Sequence, residues 1–260
     1  GLLQLTMNRT QFSGEQLAEI LSRYEKKKKY YRLKDGEFIR MDEESMKALV
    51  DMKENLQLTD KQILEGQATV PRFRALYLDA RLKGEGLSVK KSRDFKKMVR
   101  DMKTIEDNDF ELPESLEPVL RSYQKTGFLW IKTLCCNGFG GILADDMGLG
   151  KTLQTIAFLL SEFQEAQGEE RKALIVTPAS LVYNWKNEFE QFAPEITVYP
   201  VVGNVKERAE MLSNGPSQVV YITSYQLLNR DEAFYKDIEF DYQVIDEAQF
   251  IKNQSNLTTR

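Results

Sequence analysis

The sequence predicts an α/β protein in which a small, mainly helical domain with a β-hairpin precedes a parallel sheet with helices on both faces. In residues 118–260, short apolar segments alternate with helical segments, as they do where helical crossovers join parallel strands. In residues 1–117, apolar residues recur at spacings of three and four, which is typical of amphipathic helices. Two prolines interrupt an acidic stretch, residues 112–119, between the two patterns. We therefore place a domain boundary after residue 117.

The first domain is predicted to contain four helices and one strand pair. A helix begins at Ser13, because Gln16 follows three residues later and completes a capping signal. The dipeptide Asp35-Gly36 is a strong signal for a tight turn between two strands in YYRLKDGEFIRM. Apolar spacing predicts three further helices, in DEESMKALVDMKENL, PRFRALYLDARLK and SVKKSRDFKKMVRDM.

Charge is distributed unevenly along the chain. The net charge of -4 argues against a general affinity for polyanions, yet residues 70–103 contain eleven basic and four acidic residues. An anionic partner explains this excess, with Lys90, Lys91, Lys96 and Lys97 as candidate contacts. A solvated outer face of amphipathic helices explains it as well, and both interpretations stay open.

Composition excludes several classes of protein. No apolar stretch approaches the roughly 18 to 20 residues that span a bilayer, and the opening GLLQLTM lacks the length and basic flank of a signal peptide. We therefore expect a cytoplasmic protein without a membrane partner. The absence of histidine and the adjacency of the two cysteines argue against a zinc site. The chain starts without methionine and stops without a terminating signal, so we expect a fragment of a longer protein.

The second domain is predicted from five apolar strands with helices between them. The helices are one from Lys151 to Gln167, SLVYNWKNEFEQF, and one around VKERAEML. Ligands of such sheets bind at the carboxyl ends of the strands, where ADDMGLGKT, TPASL and IDEAQ fall. The sequence therefore predicts a functional site at this edge. The five strands are GGILAD, ALIVTP, ITVYPVV, QVVYITS and YQVID.

The segment GGILADDMGLGKT predicts a phosphate-binding loop. Gly148 and Gly150 let backbone N-H groups turn inward at the positive end of the following helix. Lys151 suits the outer phosphates of a nucleotide, and Thr152 suits a magnesium ion. Asp145 stands where the general formula has a glycine, so an accidental glycine turn is the alternative. The apolar strand predicted before the loop and the uninterrupted helix after it favour phosphate binding.

Two adjacent acids end the last predicted strand. Asp246 suits a magnesium ion bound through water, and Glu247 suits orienting and deprotonating the water that attacks a terminal phosphate. A nucleotide kinase or a GTP switch does not need this glutamate, and the guanine-recognising pattern is absent because no Asn-Lys dipeptide occurs. ATP hydrolysis is therefore favoured. The alternative for Glu247 is a salt bridge that braces the strand end.

Four motifs in series resemble those of SWI/SNF-type ATP-dependent DNA translocases, within the superfamily-two helicases. They are GGILADDMGLGKTLQT, LIVTPASLVYNW, YITSYQLL and VIDEAQFIKN, and they follow LRSYQKTGFLWI. The resemblance covers residues 118–260 and implies a first RecA-like ATP-binding lobe. The first domain resembles the helicase-associated domain of the bacterial branch. Family members have a second RecA-like lobe in the same full-length protein, which closes over the nucleotide and supplies arginines.

The resemblance implies roles for individual residues. Lys151, Asp246 and Glu247 would be catalytic, and Thr152 and Asp246 would hold magnesium. Gln249 stands where many relatives have histidine, and an amide cannot titrate. Gln124 would recognise adenine, with Arg121 nearby, in a nucleotide site of Arg121, Gln124, Asp146, Gly148, Leu149, Gly150, Lys151 and Thr152. The track for one DNA strand would comprise Thr177, Ser180, Asn184, Trp185, Lys186, Thr223 and Ser224.

Alternatives remain open at two of these positions and for the function. Trp185 packing its helix on the sheet is at least as good an interpretation as DNA contact, and Gln124 is equally a surface polar residue if the motif match is chance. The resemblance implies a monomeric, nucleoid-associated motor on double-stranded DNA that uses ATP and Mg²⁺. Without the second lobe, the fragment is expected to be nearly inactive. A nucleotide-gated binding or assembly module without motor activity and a strand-separating helicase are the alternatives.

Overall fold

The computed structural model describes residues 2–6, 15, 30–32, 38–40, 50–51, 53–65, 67–84, 91–105 and 108–251. The chain forms two compact units. One comprises Gly1–Asp107 and Thr133–Gly140, and the other Asn108–Lys132 and Gly141–Arg260. The domain boundary placed after residue 117 stays a prediction.

The first unit contains antiparallel strand pairs and helices. The predicted strand pair in YYRLKDGEFIRM is confirmed, whereas its turn at Asp35-Gly36 and the helix start at Ser13 lie outside the described residues. A second pair joins segments distant in sequence, with Leu2 opposite Pro71, and the sequence did not predict it. Residues 50–51 and 53–56 are also helical. The elements are β1 (Leu2–Thr6), β2 (Tyr30–Arg32), β3 (Phe38–Arg40), α1 (Asp60–Glu65), β4 (Gln67–Pro71), α2 (Ala75–Gly84) and α3 (Arg93–Lys103).

Part of the basic segment neutralises a buried acid. Asp79 on α2 accepts hydrogen bonds from Lys103 at 2.6 Å and from Lys91 at 2.7 Å. These bonds, the stronger from Lys103, hold the pKa of Asp79 well below its usual range. Helix α3 buries Met98 and Val99 and exposes its basic residues, including Lys96 and Lys97. Lys91 is therefore a structural cation, while Lys90 lies outside the described residues.

The second unit is built on a four-stranded parallel sheet in the order β6-β7-β5-β8, flanked by helices, which confirms the predicted fold class. The central strands pair in register, so that Thr177 lies opposite Ser224 and Val176 opposite Ile245. Its elements are α4 (Ser122–Cys136, whose last turn belongs to the first unit), α5 (Lys151–Glu165), β5 (Arg171–Thr177), α6 (Val182–Phe192), β6 (Val198–Pro200), α7 (Val205–Ser213), β7 (Gln218–Ser224), α8 (Tyr225–Arg230), α9 (Glu232–Tyr235) and β8 (Tyr242–Ile245).

The strand predicted at GGILAD is wrong, because residues 140–145 belong to no helix or strand. A strand requires a hydrogen-bonded neighbour, and this segment pairs with no strand of the described sheet. The edge strand β8 pairs only with β5. Ile142 in this segment is 85% exposed. Its apolar sequence suggested a buried strand, but burial depends on a neighbour that local sequence does not reveal.

Helix α4 was not predicted, and a buried lysine fixes it to the sheet. Lys132 is 1% exposed and donates to Glu162 and Glu165 on α5, each at 2.6 Å. Burial alone lowers the pKa of Lys132, but the hydrogen bonds from its ammonium group to both carboxylates raise it above its ordinary value. Tyr242 on β8 also donates to Glu162. Two helices and the strand that carries the acidic pair are thus joined through one polar cluster.

Removing one charge of a second buried ion pair, Arg208 and Asp231, is expected to lower stability strongly. Arg208 and Asp231 are each 2% exposed, and Arg208 donates to both carboxylate oxygens of Asp231, at 2.5 and 2.9 Å. Asp231→Asn should lower the free energy of unfolding by about 3 to 5 kcal/mol, because a buried guanidinium loses its counter-charge. Urea denaturation measures this change. The control Glu232→Gln removes an exposed carboxylate that lies 3.3 Å from Lys236 and should cost under about 1 kcal/mol. Equal effects of the two substitutions would contradict the prediction.

Candidate nucleotide-binding site

The phosphate loop, residues 145–152, depends on two glycines with left-handed backbones. Gly148 has φ +84° and Gly150 has φ +71°, values that side chains rarely adopt. Gly150 is the N-cap of α5, so the loop leads directly into the positive end of a helix of 15 residues. A Cβ at Gly150 would lie 2.4 Å from Nε2 of Gln124, whereas one at Gly148 meets nothing within 4 Å. Gly150 is thus constrained by both backbone and space.

The side chain of Lys151 folds back onto carbonyl oxygens of the phosphate loop. Its ammonium group donates to the carbonyl oxygens of Asp145 at 2.7 Å and Asp146 at 3.0 Å. Neutral carbonyls are weaker acceptors than charged oxygens, so a phosphate oxygen would compete well for this group. The ammonium group of Lys151 therefore lies at the phosphate loop, on acceptors that an anion could replace.

Asp145, which stands where the general phosphate-loop formula has a glycine, is hydrogen-bonded to a side chain of α5. Its Oδ2 accepts a hydrogen bond from Nε2 of Gln154 at 3.2 Å, and Gln154 is fully buried on α5. A Cβ at Gly127 on α4 would lie 1.8 Å from Oε1 of Gln154, so only glycine fits there unless Gln154 shifts. The sequence did not single out Gln154 or Gly127. Their spacing carries no motif, and only the packing of the two helices brings them together.

Gln124 anchors the phosphate loop to α4. Its Oε1 accepts from the backbone N-H of Arg121 at 2.9 Å, and its Nε2 donates to the carbonyl of Leu149 at 3.1 Å. Tyr123 also donates to the Leu149 carbonyl, at 3.2 Å. Gln124 is buried, so the alternative of a surface polar residue does not describe it, while Arg121 is exposed. Recognition of adenine by these two residues stays a prediction.

Asp246 is fixed where three elements meet. Its backbone N-H donates to the Val176 carbonyl at 2.8 Å, which extends the pairing of β8 with β5. Its Oδ2 accepts from Oγ1 of Thr177 at 3.0 Å and from Nε1 of Trp185 at 2.8 Å. Tyr225 donates its hydroxyl to the Asp246 carbonyl. Burial, with the nearby charges of Asp246 and Glu247, raises the pKa of Tyr225, so this hydroxyl keeps its proton.

Glu247 has an unusual backbone conformation. Its φ is +52°, which is uncommon for a residue with a side chain and often accompanies functional sites. Its carbonyl accepts from Phe250 at 3.0 Å and thereby stabilises the 3₁₀ turn Ala248–Ile251. The amide of Gln249 donates to Oε2 of Glu247. Gln249 therefore contacts the predicted base directly, as a donor that does not titrate.

The seven DNA-track candidates differ in exposure. Ser180 and Asn184 are exposed, and the half-buried Lys186 pairs with Glu190 on the same helix. Ser224 caps α8 by accepting from the backbone of Leu227. Trp185 is buried, as the packing alternative expects, and its ring lies 6.3 Å from that of Phe189 on the same helix. DNA contact by the set stays a prediction, with four of its members in the interior: Thr177, Trp185, Thr223 and Ser224.

The residues present fit a magnesium ion held mainly by phosphate and water. Among the described residues, no three histidine, cysteine or acidic side chains cluster in a way that could hold a metal. Magnesium in nucleotide sites usually takes only one or two protein ligands, so such a cluster is not needed. In the part of the chain that the structure describes, the two hydrogen bonds to the Asp246 carboxylate, from Thr177 and Trp185, both go to Oδ2 and not to Oδ1. Thr152 is the second residue of α5 and is the other candidate ligand.

These features define a class of protein: a P-loop nucleotide-binding lobe, with a phosphate loop at a helix start and an anchored acidic pair at the end of a parallel strand. Residues 123–260 match the family described as SNF2-related domain, and residues 1–113 match the one described as Bacterial SNF2 helicase associated. The chain therefore belongs to the SNF2-related family. This result confirms the resemblance that the motifs indicated.

Relatives of this chain are much longer than it is. It is 40% identical over 166 residues to an uncharacterized ATP-dependent helicase of Mycoplasma genitalium, covering 63% of this chain and 16% of that protein. It is 37% identical over 156 residues to the chromatin-remodeling ATPase INO80 of Arabidopsis thaliana, covering 56% of this chain and 10% of that protein. A solved Sulfolobus solfataricus SWI2/SNF2 ATPase core in complex with dsDNA is 38% identical, with a TM-score of 0.47, covering 54% of this chain and 28% of that chain.

The glycine geometry predicts unequal effects of alanine along the phosphate loop. Gly150→Ala should lower the free energy of unfolding by at least about 1 to 2 kcal/mol, because alanine is strained at positive φ and its Cβ would displace Gln124. Gly148→Ala is strained by its backbone alone and should cost less. Gly140→Ala, which meets nothing within 4 Å, is the control and should stay within about 0.5 kcal/mol of wild type. Chemical denaturation orders the three, and any other order would contradict this account.

Proposed function

We propose that the chain is the ATP-binding half of a motor that hydrolyses ATP with magnesium and moves along double-stranded DNA. Family membership over residues 123–260 supports the coarse assignment, since relatives are named ATP-dependent helicases and chromatin-remodeling ATPases. The observation that carries the proposal is the anchored acidic pair, because Asp246 keeps a carboxylate oxygen for a cation beside the strained Glu247. A site that only binds nucleotide needs no second acid there.

Each residue of the site has a distinct task in this proposal. The backbone N-H groups at the start of α5 bind the inner phosphates, and Lys151 exchanges its carbonyl acceptors for oxygens of the outer phosphates. Thr152 and Asp246 would hold magnesium, which neutralises charge on the transferred phosphoryl group. Glu247 orients a water molecule and accepts its proton, and Gln249 holds the Glu247 carboxylate in place.

DNA would be bound mainly through its phosphates, and so with little sequence preference. The exposed Ser180 and Asn184 and the half-buried Lys186 are the members of the track best placed to reach it. The buried Thr177, Thr223 and Ser224 would act by shaping the strand ends. We further propose a monomer, associated with the nucleoid in the cytoplasm, whose second RecA-like lobe supplies the arginines.

Two other functions compete with translocation. A nucleotide-gated assembly module would bind ATP without turnover, and the presence of Glu247 argues against it. A strand-separating helicase would share every feature of this site, and the names of the Mycoplasma relatives favour keeping it as a candidate. An unwinding assay on the full-length protein distinguishes a helicase from a translocase that leaves the duplex intact.

Nucleotide binding should depend on Lys151. Lys151→Ala should weaken ATP binding by at least tenfold, about 1.4 kcal/mol, because the ammonium group supplies the main positive charge for the outer phosphates. Calorimetry with the 260-residue chain measures the affinity. Lys206→Ala removes a lysine of 88% side-chain exposure on α7 and is the control for a change in net charge. ATP affinity that is the same in wild type and Lys151→Ala would remove Lys151 from the site.

Hydrolysis should depend on Glu247 and on duplex DNA in the full-length protein. Glu247→Gln keeps the shape of the side chain and removes the base, so it should retain ATP affinity within about twofold and lose roughly 10² or more in turnover. Asp246→Asn should instead impair magnesium-dependent binding. Steady-state ATPase assays with and without duplex DNA measure both variants, with Glu232→Gln as the control.

Turnover by Glu247→Gln within a few-fold of wild type would assign Glu247 to a structural salt bridge. Wild-type turnover that does not respond to DNA would favour the assembly module. The 260-residue chain alone should hydrolyse ATP slowly, because an arginine supplied by a second lobe is commonly worth about 10³ to 10⁵ in rate.

A further inference from the structure

We propose that Trp185 and Thr177 are positioning residues for magnesium, because their two neutral donors converge on one oxygen of Asp246 and direct the other oxygen to the cation. The inference rests on the proposed function, in which Asp246 holds the metal. It assigns two of the four buried members of the predicted DNA track, Thr177 and Trp185, a different task. Neither residue would touch nucleotide or metal, and both would act through the carboxylate.

The geometry joins three separate elements. Thr177 is the last residue of β5, Trp185 lies one turn into α6, and Asp246 follows β8. The hydroxyl of Thr177 and the indole N-H of Trp185 both donate to Oδ2, at 3.0 and 2.8 Å. Thr177 is fully buried and Trp185 is 4% exposed. Two donors from different directions on one oxygen fix the rotation of the carboxylate, so the orientation of Oδ1 is set as well.

The chemistry of the donors suits a metal ligand. A hydroxyl and an indole N-H carry no charge, so they orient the carboxylate without neutralising it. Neither titrates near neutral pH. Because the indole nitrogen is a donor only, it can contact the carboxylate in just one way, by donating its N-H. A buried indole N-H without a partner is costly, which holds the Trp185 ring to this carboxylate rather than to another rotamer.

A purely structural role predicts a different outcome. If Trp185 only packs α6 on the sheet, Trp185→Phe keeps an aromatic ring beside Phe189 and changes stability without changing the response to magnesium. If it positions Asp246, the same substitution removes the N-H and lowers affinity for the cation. Magnesium dependence of nucleotide binding therefore separates the two roles, because packing alone does not move it.

The test measures ATP binding to the 260-residue chain by calorimetry at a series of magnesium concentrations. Trp185→Phe should raise the magnesium concentration for half-maximal effect by about tenfold, the lower end of what lost orienting contacts cost a metal site. ATP affinity in EDTA should stay within about twofold of wild type. Thr177→Val should act in the same direction, and Thr177→Ser, which keeps the hydroxyl, should recover most of the loss. Trp130→Phe makes the same substitution outside the cluster and is the control.

A spectroscopic measurement gives an answer that does not depend on affinity. The chain has two tryptophans, so Trp130→Phe leaves Trp185 as the only source of indole fluorescence. Adding magnesium to the ATP-bound protein should change the Trp185 emission, because the acceptor of its N-H acquires a cation. Thermal denaturation of each variant verifies that it is folded.

Failure of the inference and failure of the proposed function give different results. Wild-type binding that responds to magnesium, together with an unchanged response in Trp185→Phe and Thr177→Val, would overturn the positioning role and leave the function intact. Wild-type binding that does not respond to magnesium at all would overturn both. If Trp185→Phe does not fold, the pair Thr177→Val and Thr177→Ser decides the matter.

Discussion

The site depends on the parallel pairing of β5 with strands on both of its sides. β5 pairs with β7 through all seven of its residues and with β8 through four of them. Parallel strands in register end at the same edge, so Thr177, Ser224 and Asp246 emerge together. A shift of one residue in β8 would turn Asp246 to the opposite face and away from Thr177. The chemistry therefore requires this register, and the apolar residues of β5 and β7, buried on both faces, fix it.

The buried charges of Lys132, Asp79 and Arg208 are each matched by opposite charges, and this matching holds helices on their neighbours. Lys132 lies between two carboxylates of α5, and Asp79 lies between two lysines of the first unit. Arg208 of α7 pairs with Asp231. Such clusters contribute little net stability relative to apolar packing, but each is costly to break on one side. They consequently select one arrangement of the helices around a core that apolar contacts alone would specify less uniquely.

The sequence correctly predicted elements that depend on residues close together in the chain, such as an apolar run or a glycine turn. Strand β7 coincides with the predicted QVVYITS, and α5 begins at Lys151 as its glycine turn requires. The strand at GGILAD was wrong and the pairing of β1 with β4 was missed, because both depend on neighbours distant in sequence. In the site, Lys151 and the acidic pair follow from motif and strand position. The contacts of Gln154 with Asp145 and of Trp185 with Asp246 do not, since 61 residues separate the latter pair and no spacing rule connects them.

The anchored carboxylates of Asp79, Asp231 and Asp246 differ in the charge of their hydrogen-bond donors. The carboxylates of Asp79 and Asp231 accept hydrogen bonds from lysine or arginine, so their charge is already compensated within the protein. The described hydrogen bonds to the carboxylate of Asp246 come instead from a threonine hydroxyl and an indole, which are neutral. In the proposed function, this carboxylate is oriented but not neutralised, and a cation bound to a polyphosphate would complement it at the carboxyl edge of the sheet. The proposed magnesium site would also account for a buried tryptophan, rather than a basic residue, in contact with Asp246. A lysine there would hold the carboxylate but would compete with magnesium for its charge.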